Sequence, residues 1–150
     1  MKRIIVIVSL LSVVLISCNN TNKPQQTAGP TEVNASAAEQ EAIKRTLEYY
    51  VEGSRQGDSK ITAKAFAEGA TLSGIYEGQF SLAPIQVLYD LVDSHGPQET
   101  NYTLTTCSVE GGVAIVRIEA QFGTKKYTDM FTLVKDGSDW KITSKVYHLH

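Results

Sequence analysis

The second half of the chain consists of four runs with the alternating pattern of β-strands, and this pattern limits the possible folds most strongly. The runs cover residues 102–109, 113–122, 125–135 and 140–148. They are separated by short segments rich in Gly and Asp, which tolerate the left-handed backbone conformations that hairpin turns need. Consecutive strands of this kind predict an antiparallel meander with one face covered and the other facing solvent.

The alternation also assigns individual side chains to the two faces of this sheet. It predicts that Asp129, Trp140 and His148 lie on the covered face, and that Lys145 and Tyr147 lie on the opposite face. A carboxylate on a covered face faces a pocket with a raised pKa or belongs to a hydrogen-bond network. The alternative is that a β-bulge reverses the faces and leaves Asp129 in solvent.

The segment before these strands predicts helices that can cover the sheet. Apolar residues recur at three- and four-residue spacing along a first helix that ends near Gln56, after a capping box formed by Ser36 and Glu39. A second helix is predicted over about 59–66 and a short strand over 71–76. The third helix is predicted to open with Ser-Leu-Ala-Pro at 81–84. The order of these elements indicates an α+β domain.

Four segments of the domain resemble a known family. EAIKRTLEYYVEGSRQG (41–57), FAEGATLSGIYEG (66–78), APIQVLYDLVD (83–93) and DWKITSKVYH (139–148) are similar to the lumazine-binding family of bacterial proteins. This family lies within the NTF2-like superfamily, beside SnoaL-like and ketosteroid-isomerase-like proteins. The resemblance covers essentially all of residues 39–150 and implies an NTF2-like (cystatin-like) cone. In this α+β fold, three N-terminal helices pack on a curved antiparallel sheet, with a ligand pocket between them.

The pocket implied by the resemblance provides a set of candidate ligand-binding residues. Those whose predicted faces reach it are Tyr50, Phe66, Tyr76, Tyr102, Asp129, Phe131 and Trp140. For Phe66, Phe131 and Trp140 the alternative is ordinary core packing, because small domains fill their cores with aromatic rings. The first hypothesis is therefore a binding module without catalysis and without a cofactor. Its ligand is expected to be small and hydrophobic or aromatic, of the pterin or lumazine kind.

Two other functions remain open. The first is an isomerase or dehydratase that uses Tyr50 and Asp129, with His95 or His148 as a further acid–base candidate. Ketosteroid isomerases carry an Asp base on the first strand, and this chain has no carboxylate at 70–75. The second is a homodimeric interaction module that uses the exposed face of the sheet, where Met130 and Tyr147 are candidate apolar contacts.

The remaining histidines and cysteines do not form a pattern typical of a metal site. His148 and His150 alternate on one strand, but there is no Cys/His cluster around them, so no metal is predicted. Cys107 lies in a predicted strand, and we interpret it as a small buried apolar residue that forms no disulfide.

The N-terminus resembles the signal of a bacterial lipoprotein. Lys2 and Arg3 precede an apolar run over 4–16, and Cys18 follows after Ser17, where cleavage is expected. The resemblance implies removal of residues 1–17 and acylation of the Cys18 thiol. The alternative is an ordinary signal peptide with an incidental Cys. Asn19 after the Cys favours the outer membrane, so we expect a lipid-anchored protein that faces the periplasm.

The domain boundaries and the charge follow from this assignment. Residues 18–35 are rich in Asn, Thr, Gln and Pro and predict a flexible tether, and residues 36–150 form the domain. Removal of residues 1–17 leaves 12 of the 14 basic residues against 16 acidic ones, a net charge of −4. A mildly acidic domain has no electrostatic footprint for nucleic acid, so no nucleic-acid partner is predicted.

Overall fold

The computed structural model describes residues 35–150. The predicted signal peptide, Cys18 and all of the predicted tether except Ala35 lie outside the described residues. Along the chain the elements are α1 (Ala37–Gln56), α2 (Ser59–Ala63), β1 (Phe66–Tyr76), β2 (Gln79–Pro84), α3 (Gln86–His95), β3 (Thr100–Glu110), β4 (Val113–Phe122), β5 (Lys125–Asp136) and β6 (Asp139–Leu149). None of the helices in this part of the chain has the length and apolar character that a membrane crossing requires.

The strands of this region form one six-stranded sheet in the order β2-β1-β6-β5-β4-β3. The meander from β3 to β6 is antiparallel, as the alternating runs predict. β1 pairs with β6 in parallel, so the predicted antiparallel sheet contains one parallel pair. A parallel pair needs a long connection rather than a hairpin, and here β2, α3 and the strands β3 to β5 lie between β1 and β6 along the chain.

The strand β2 was not predicted, and residues 81–84 belong to it rather than to the third helix. Glu77 and Gly78 both have positive φ, at 49° and 77°. A two-residue hairpin turn of type I′ requires this conformation at both central positions, and here it pairs Tyr76 with Gln79. The helix α3 consequently begins only at Gln86.

The second helix is shorter than predicted and β1 is longer. α2 ends at Ala63, and Phe66 is already paired with Ile142 of β6. The backbone N–H of Ile142 also donates to the carbonyl oxygen of Ala65 at 2.9 Å. Sheet pairing with a distant strand therefore takes these residues away from the helix that their local sequence favours.

The ends of α1 follow the sequence signals. The Ser36 side chain accepts from the backbone N–H of Glu39, and the Glu39 side chain accepts from that of Ser36, so the predicted capping box is confirmed. The helix ends where Gly57 takes a left-handed conformation with φ of 64°. Asp58 then caps α2 by accepting from the N–H of Lys60 at 2.9 Å.

The core lies between the buried stripe of α1 and the inner face of the sheet. Ile43, Leu47 and Val51 of α1 are fully buried and belong to one cluster with the inner side chains of the strands. Cys107 is buried in the same cluster, as predicted, and burial raises the pKa of its thiol.

A β-bulge in β6 changes which residues face inward. Leu133 pairs with Ile142 while Thr132 pairs with Ser144, so Thr143 is the extra residue. Trp140 and Ile142 before the bulge are buried, and their predicted face is correct. Beyond the bulge the alternation is reversed, because one inserted residue shifts the period-two pattern by one position.

The predicted faces of the end of β6 were therefore wrong. Lys145 and Tyr147 turn inward, with Lys145 only 3% exposed, whereas Val146 and His148 are exposed on the outer face. His148 thus does not lie on the covered face.

Candidate functional site

A cavity of about 610 Å³ lies between α3, the second half of α1 and the sheet, where β1, β2, β4, β5 and β6 contribute side chains to its wall. Its aromatic wall is formed by Tyr50, Tyr76, Phe122, Tyr127 and Tyr147. Its aliphatic wall is mainly the inward stripe of α3, formed by Val87, Leu88, Leu91 and Val92. This volume and this mostly apolar lining are typical of small-molecule sites, which measure roughly 300–1,000 Å³.

The most unusual polar group in the cavity wall is the side chain of Lys145. Asp129 pairs with Tyr147, and Phe131 pairs with Lys145, so Asp129 and Lys145 are diagonal neighbours on the inner face of β5 and β6. The Lys145 ammonium forms an ion pair with Oδ1 of Asp129. The hydroxyl of Tyr50, on α1, donates to Oδ2 of Asp129 at 2.9 Å. We call these three residues the Lys–Asp–Tyr cluster.

The members of this cluster differ in their access to the cavity. Tyr50 and Lys145 line the cavity, while the fully buried Asp129 lies behind them. One carboxylate oxygen of Asp129 binds the Tyr50 hydroxyl and the other binds the Lys145 ammonium. The carboxylate is therefore a positioning group for the two side chains that reach the cavity.

Aromatic rings surround the ammonium of Lys145. Its Nζ lies 5.2 Å from the ring centroid of Tyr147, 5.6 Å from that of Tyr50, 5.8 Å from that of Phe131 and 5.9 Å from that of Tyr127. A cation within about 6 Å of an aromatic face is attracted by the quadrupole of the ring. The arrangement therefore stabilises a positive charge at this point.

Burial changes the proton affinities of the cluster. Desolvation lowers the pKa of Lys145, and the charge and hydrogen bond of Asp129 partly oppose this. The pKa of Tyr50 is raised well above its ordinary value, first by burial and then by the negative charge of Asp129 and the hydrogen bond to it. Tyr50 is therefore a neutral hydrogen-bond donor over the physiological pH range.

The structure separates the predicted ligand-binding residues into three groups. Tyr50 and Tyr76 line the cavity, and Asp129 supports it from behind. Phe66, Phe131 and Trp140 are buried in the core. The rings of Phe66 and Phe131 pack edge-on against Tyr50, with centroid separations of 5.9 Å and 5.5 Å.

Tyr102 lies outside this cavity. Its hydroxyl donates to Oε1 of Glu48 on α1 at 3.0 Å, beside a separate depression that also contains Tyr49. The covered position predicted for Asp129 is correct, and the second of its two predicted roles, membership of a hydrogen-bond network, is the one observed.

The histidines do not join the cluster. His95 is at the exposed rim of the cavity, where Nδ1 contacts the carbonyl oxygen of Leu91 at 2.7 Å. His148 packs edge-on against His150 on the outer face, with ring centroids 4.8 Å apart. Between residues 35 and 150, no group of three or more His, Cys, Asp or Glu side chains has a geometry that could hold a metal ion.

Lys145 is the functional candidate that the sequence analysis missed. Both possible faces of 144–149 contain apolar residues, so alternation alone does not choose between them. The buried carboxylate of Asp129 was the available signal, because a buried charge requires a partner of opposite sign.

The profile of the family described as "Putative lumazine-binding" matches residues 38–148. The chain belongs to this family. The match covers nearly all of the described region, including the Lys–Asp–Tyr cluster. The family that the four sequence segments predicted for this chain is therefore confirmed.

Solved structures with this fold confirm the NTF2-like cone. An NTF2-like protein from Shewanella baltica OS155 is 32% identical with a TM-score of 0.72, covering 78% of this chain and 98% of that one. A second, from Methylobacillus flagellatus KT, is 30% identical with a TM-score of 0.72, covering 79% and 98%. Among curated proteins, Aldolase FrzH from Cladobotryum sp. is 28% identical over 116 residues, which are 75% of this chain and 93% of the relative.

Proposed function

We propose that this family member binds one small, flat organic molecule with a polar edge in the cavity between α3 and the sheet. The observation that carries the proposal is the cavity itself, which has about 610 Å³ of space inside a wall of aromatic and aliphatic side chains. An open apolar cavity is less stable than a close-packed core, because the side chains that line it lose packing contacts. Binding of a ligand in the cavity is the function that accounts for this cost.

The finer proposal is a bicyclic heterocycle of the lumazine kind. Rings of Tyr50, Tyr127 and Tyr147 can stack against a flat ligand in offset or edge-on geometry. The Lys145 ammonium has three N–H donors, one of them used by Asp129, and so offers a hydrogen bond to a carbonyl oxygen at the edge of the ligand. The family description points to the same class of ligand.

Two neighbouring residues of β2 provide a matched test of this site. Ala83 faces the cavity, and Leu82 is 63% exposed on the opposite face of the same strand. The purified full chain is titrated calorimetrically with lumazine and with 2-naphthalenemethanol, a neutral bicyclic alcohol. We expect Ala83→Phe to abolish binding because its ring fills the cavity, and Leu82→Phe to leave it unchanged.

The two variants also define the result that contradicts the proposal. If neither probe binds the unaltered chain, or if both variants bind equally well, the cavity is not the binding site for this class of molecule. Circular dichroism of each variant checks that the fold is retained.

A second candidate function is catalysis on a carbonyl compound. The specific observation is the Lys–Asp–Tyr cluster, which combines an amine, a carboxylate and a neutral phenol at one wall of the cavity. The similarity to a protein named as an aldolase supports this class of chemistry. Asp129→Asn should then lose turnover under conditions in which circular dichroism shows the variant to be folded, and unchanged turnover would remove Asp129 from the mechanism.

We propose that the mature protein is held at the outer membrane, facing the periplasm, by acylation of Cys18. This proposal is supported by the apolar run over 4–16 and by the position of Cys18 just beyond its end, after Ser17. Cys18→Ser is expected to move the protein from the membrane fraction to the soluble fraction. Unchanged fractionation would contradict the anchor, and density-gradient separation of the two membranes tests which one carries it.

We also propose that the chain forms a homodimer through the outer face of the sheet. Leu82, Val146 and Met130 follow one another across this face, because Leu82 pairs with Ser73, Ser73 with Val146 and Val146 with Met130. All three apolar side chains are at least 40% exposed. Sedimentation equilibrium of the full chain should report twice the monomer mass, and Met130→Glu should reduce it to the monomer. A monomer at all concentrations would contradict the dimer.

A further inference from the structure

Lys145 occupies a position that is unusual for a lysine. Its side chain is 4% exposed, on the inner face of the sheet, and yet it forms part of the cavity wall. Lysine is almost never fully buried unless it is paired. Here the pair with Asp129 satisfies the charge, but the same space filled by apolar side chains is often as stable or more so. Stability alone therefore does not account for an ion pair at the wall of a ligand cavity.

Three features make the Lys145 amine suited to react rather than only to bind. It can lose its proton to the adjacent Asp129 within the ion pair. It is shielded from bulk water by aromatic rings, and it reaches the space in which a ligand would lie. An amine in a desolvated site is a better nucleophile for carbonyl carbon than an exposed one, because the neutral form is more populated there.

We propose that the Lys145 amine condenses with an aldehyde or ketone bound in the cavity and forms an imine. The inference rests on the proposed ligand-binding function and specifies the class of ligand as a carbonyl compound with an apolar, aromatic body.

The step balances without a further reactant. The Lys145 ammonium transfers one proton to Asp129, and the nitrogen lone pair forms a bond to the carbonyl carbon as the C=O π pair moves to oxygen. A proton moves from nitrogen to this oxygen, giving a neutral carbinolamine. The proton held by Asp129 then passes to the hydroxyl group, the C–O bond breaks and water leaves. The product is a protonated imine beside the Asp129 carboxylate, so nothing is oxidised or reduced.

The other members of the site suit the intermediates of this step. The Tyr50 hydroxyl lines the cavity, and its one proton is donated to Oδ2 of Asp129, so it holds the carboxylate in place beside the reacting amine. The protonated imine inherits the position of the ammonium, with four aromatic rings around it and the carboxylate beside it.

Reductive trapping tests the inference directly. The purified full chain is incubated near neutral pH with 2-naphthaldehyde and sodium cyanoborohydride, which reduces an imine to a stable secondary amine. Intact mass measurement counts the adducts and peptide mapping locates them. We expect modification of Lys145 to be about ten-fold or more faster than that of the exposed lysines, in keeping with its desolvated amine. Lys145→Arg should lose this adduct, and Lys126→Arg, an exposed matched control on β5, should retain it.

The alcohol probe separates the two proposals. Calorimetric binding of 2-naphthalenemethanol to the same preparation reports occupation of the cavity without a reactive carbonyl. Absence of a preferred Lys145 adduct overturns the imine proposal whether or not the alcohol binds, while alcohol binding by itself supports the proposed binding function. The peptide map of the unaltered chain decides the question even if Lys145→Arg fails to fold.

Discussion

At the scale of single residues, the protein depends on one buried carboxylate. Asp129 is fully buried, and each of its oxygens is occupied, one by the Lys145 ammonium and the other by the Tyr50 hydroxyl. A buried charge is tolerated only when it is paired and hydrogen-bonded, so the three side chains form one interdependent unit.

Asp129→Asn should destabilise the domain strongly. The amide leaves the Lys145 ammonium buried without an anion, and breaking a buried pair in this way costs about 3–5 kcal/mol. Urea unfolding monitored by circular dichroism measures the change. The double variant Asp129→Asn with Lys145→Met should recover most of the loss, because no buried charge remains. A loss below about 1 kcal/mol would show that the pair is solvated like a surface salt bridge.

Tyr50→Phe should cost about 1.5–3 kcal/mol, the range for a lost hydrogen bond to a charged group. The phenylalanine ring keeps the edge-on contacts with Phe122 and Phe131, so the loss isolates the hydroxyl. Tyr49→Phe is the matched control, since its side chain is 44% exposed on the next position of α1. Its effect on the free energy of unfolding should stay within about 0.5 kcal/mol. Equal effects of the two variants would contradict the role assigned to Tyr50.

At the scale of elements, the close packing of α1 on α2 depends on a glycine. Gly53 is in the last part of α1, where glycine costs helix stability. A Cβ atom at this position would collide with the Thr62 side chain and lie 2.6 Å from the Thr62 backbone nitrogen. The absence of a side chain therefore allows the two helices to approach.

Gly53→Ala should consequently destabilise the domain although alanine favours helices. The propensity gain of about 1 kcal/mol is outweighed by overpacking against backbone, which costs about 1–3 kcal/mol or more. Thermal unfolding compares this variant with Lys44→Ala, an exposed position of the same helix that should change stability by less than about 0.5 kcal/mol. A raised melting temperature for Gly53→Ala would show that α2 shifts away without loss.

At the scale of the whole molecule, buried and half-buried phenols from several elements affect the response to alkali. Burial is the main cause of the raised pKa values of Tyr50, Tyr89, Tyr102 and Tyr127, and nearby carboxylates add to it for Tyr50, Tyr102 and Tyr127. In the unfolded chain these phenols lose their protons near pH 10. The contribution of Lys145 to the pH dependence of stability has the opposite sign, because its pKa is lowered in the folded state.

The free energy of unfolding should therefore fall above about pH 10.4. Folded phenols hold protons that the unfolded chain releases, so stability present below pH ~10 is lost as the pH rises. The lowered pKa of Lys145 makes the free energy of unfolding rise with pH, but only up to about pH 10.4, where the unfolded lysine also loses its proton. Urea unfolding between pH 8 and 12 measures the change, and Tyr50→Phe should show a shallower fall. Titration of every tyrosine near pH 10 in the intact fold would contradict this.

Much of the fold can be predicted from the sequence because its signals are local. The capping box at Ser36, the helix stop at Gly57 and the hairpins between the last four strands depend on neighbouring residues, and all are observed. The burial of Asp129 follows from the same alternation and is also observed. Whether the candidate residues contact a ligand stays a prediction.

The site could be predicted only in part because it depends on long-range pairing. β2 and the full length of β1 are stabilised by sheet partners that the local sequence does not specify, and residues 81–84 resemble a helix start. The inward position of Lys145 depends on one extra residue at Thr143, which reverses the faces of β6 beyond it.

The sequence by itself thus determined the order of the helices and of the last four strands, the ends of α1, the hairpin turns of the meander, and the family. The cavity, the mixed sheet and the pairing of Lys145 with Asp129 were decided by the tertiary structure. The physical reason is that periodicity reports which side chains share a face of one element. Strand register and the approach of distant elements decide which faces meet.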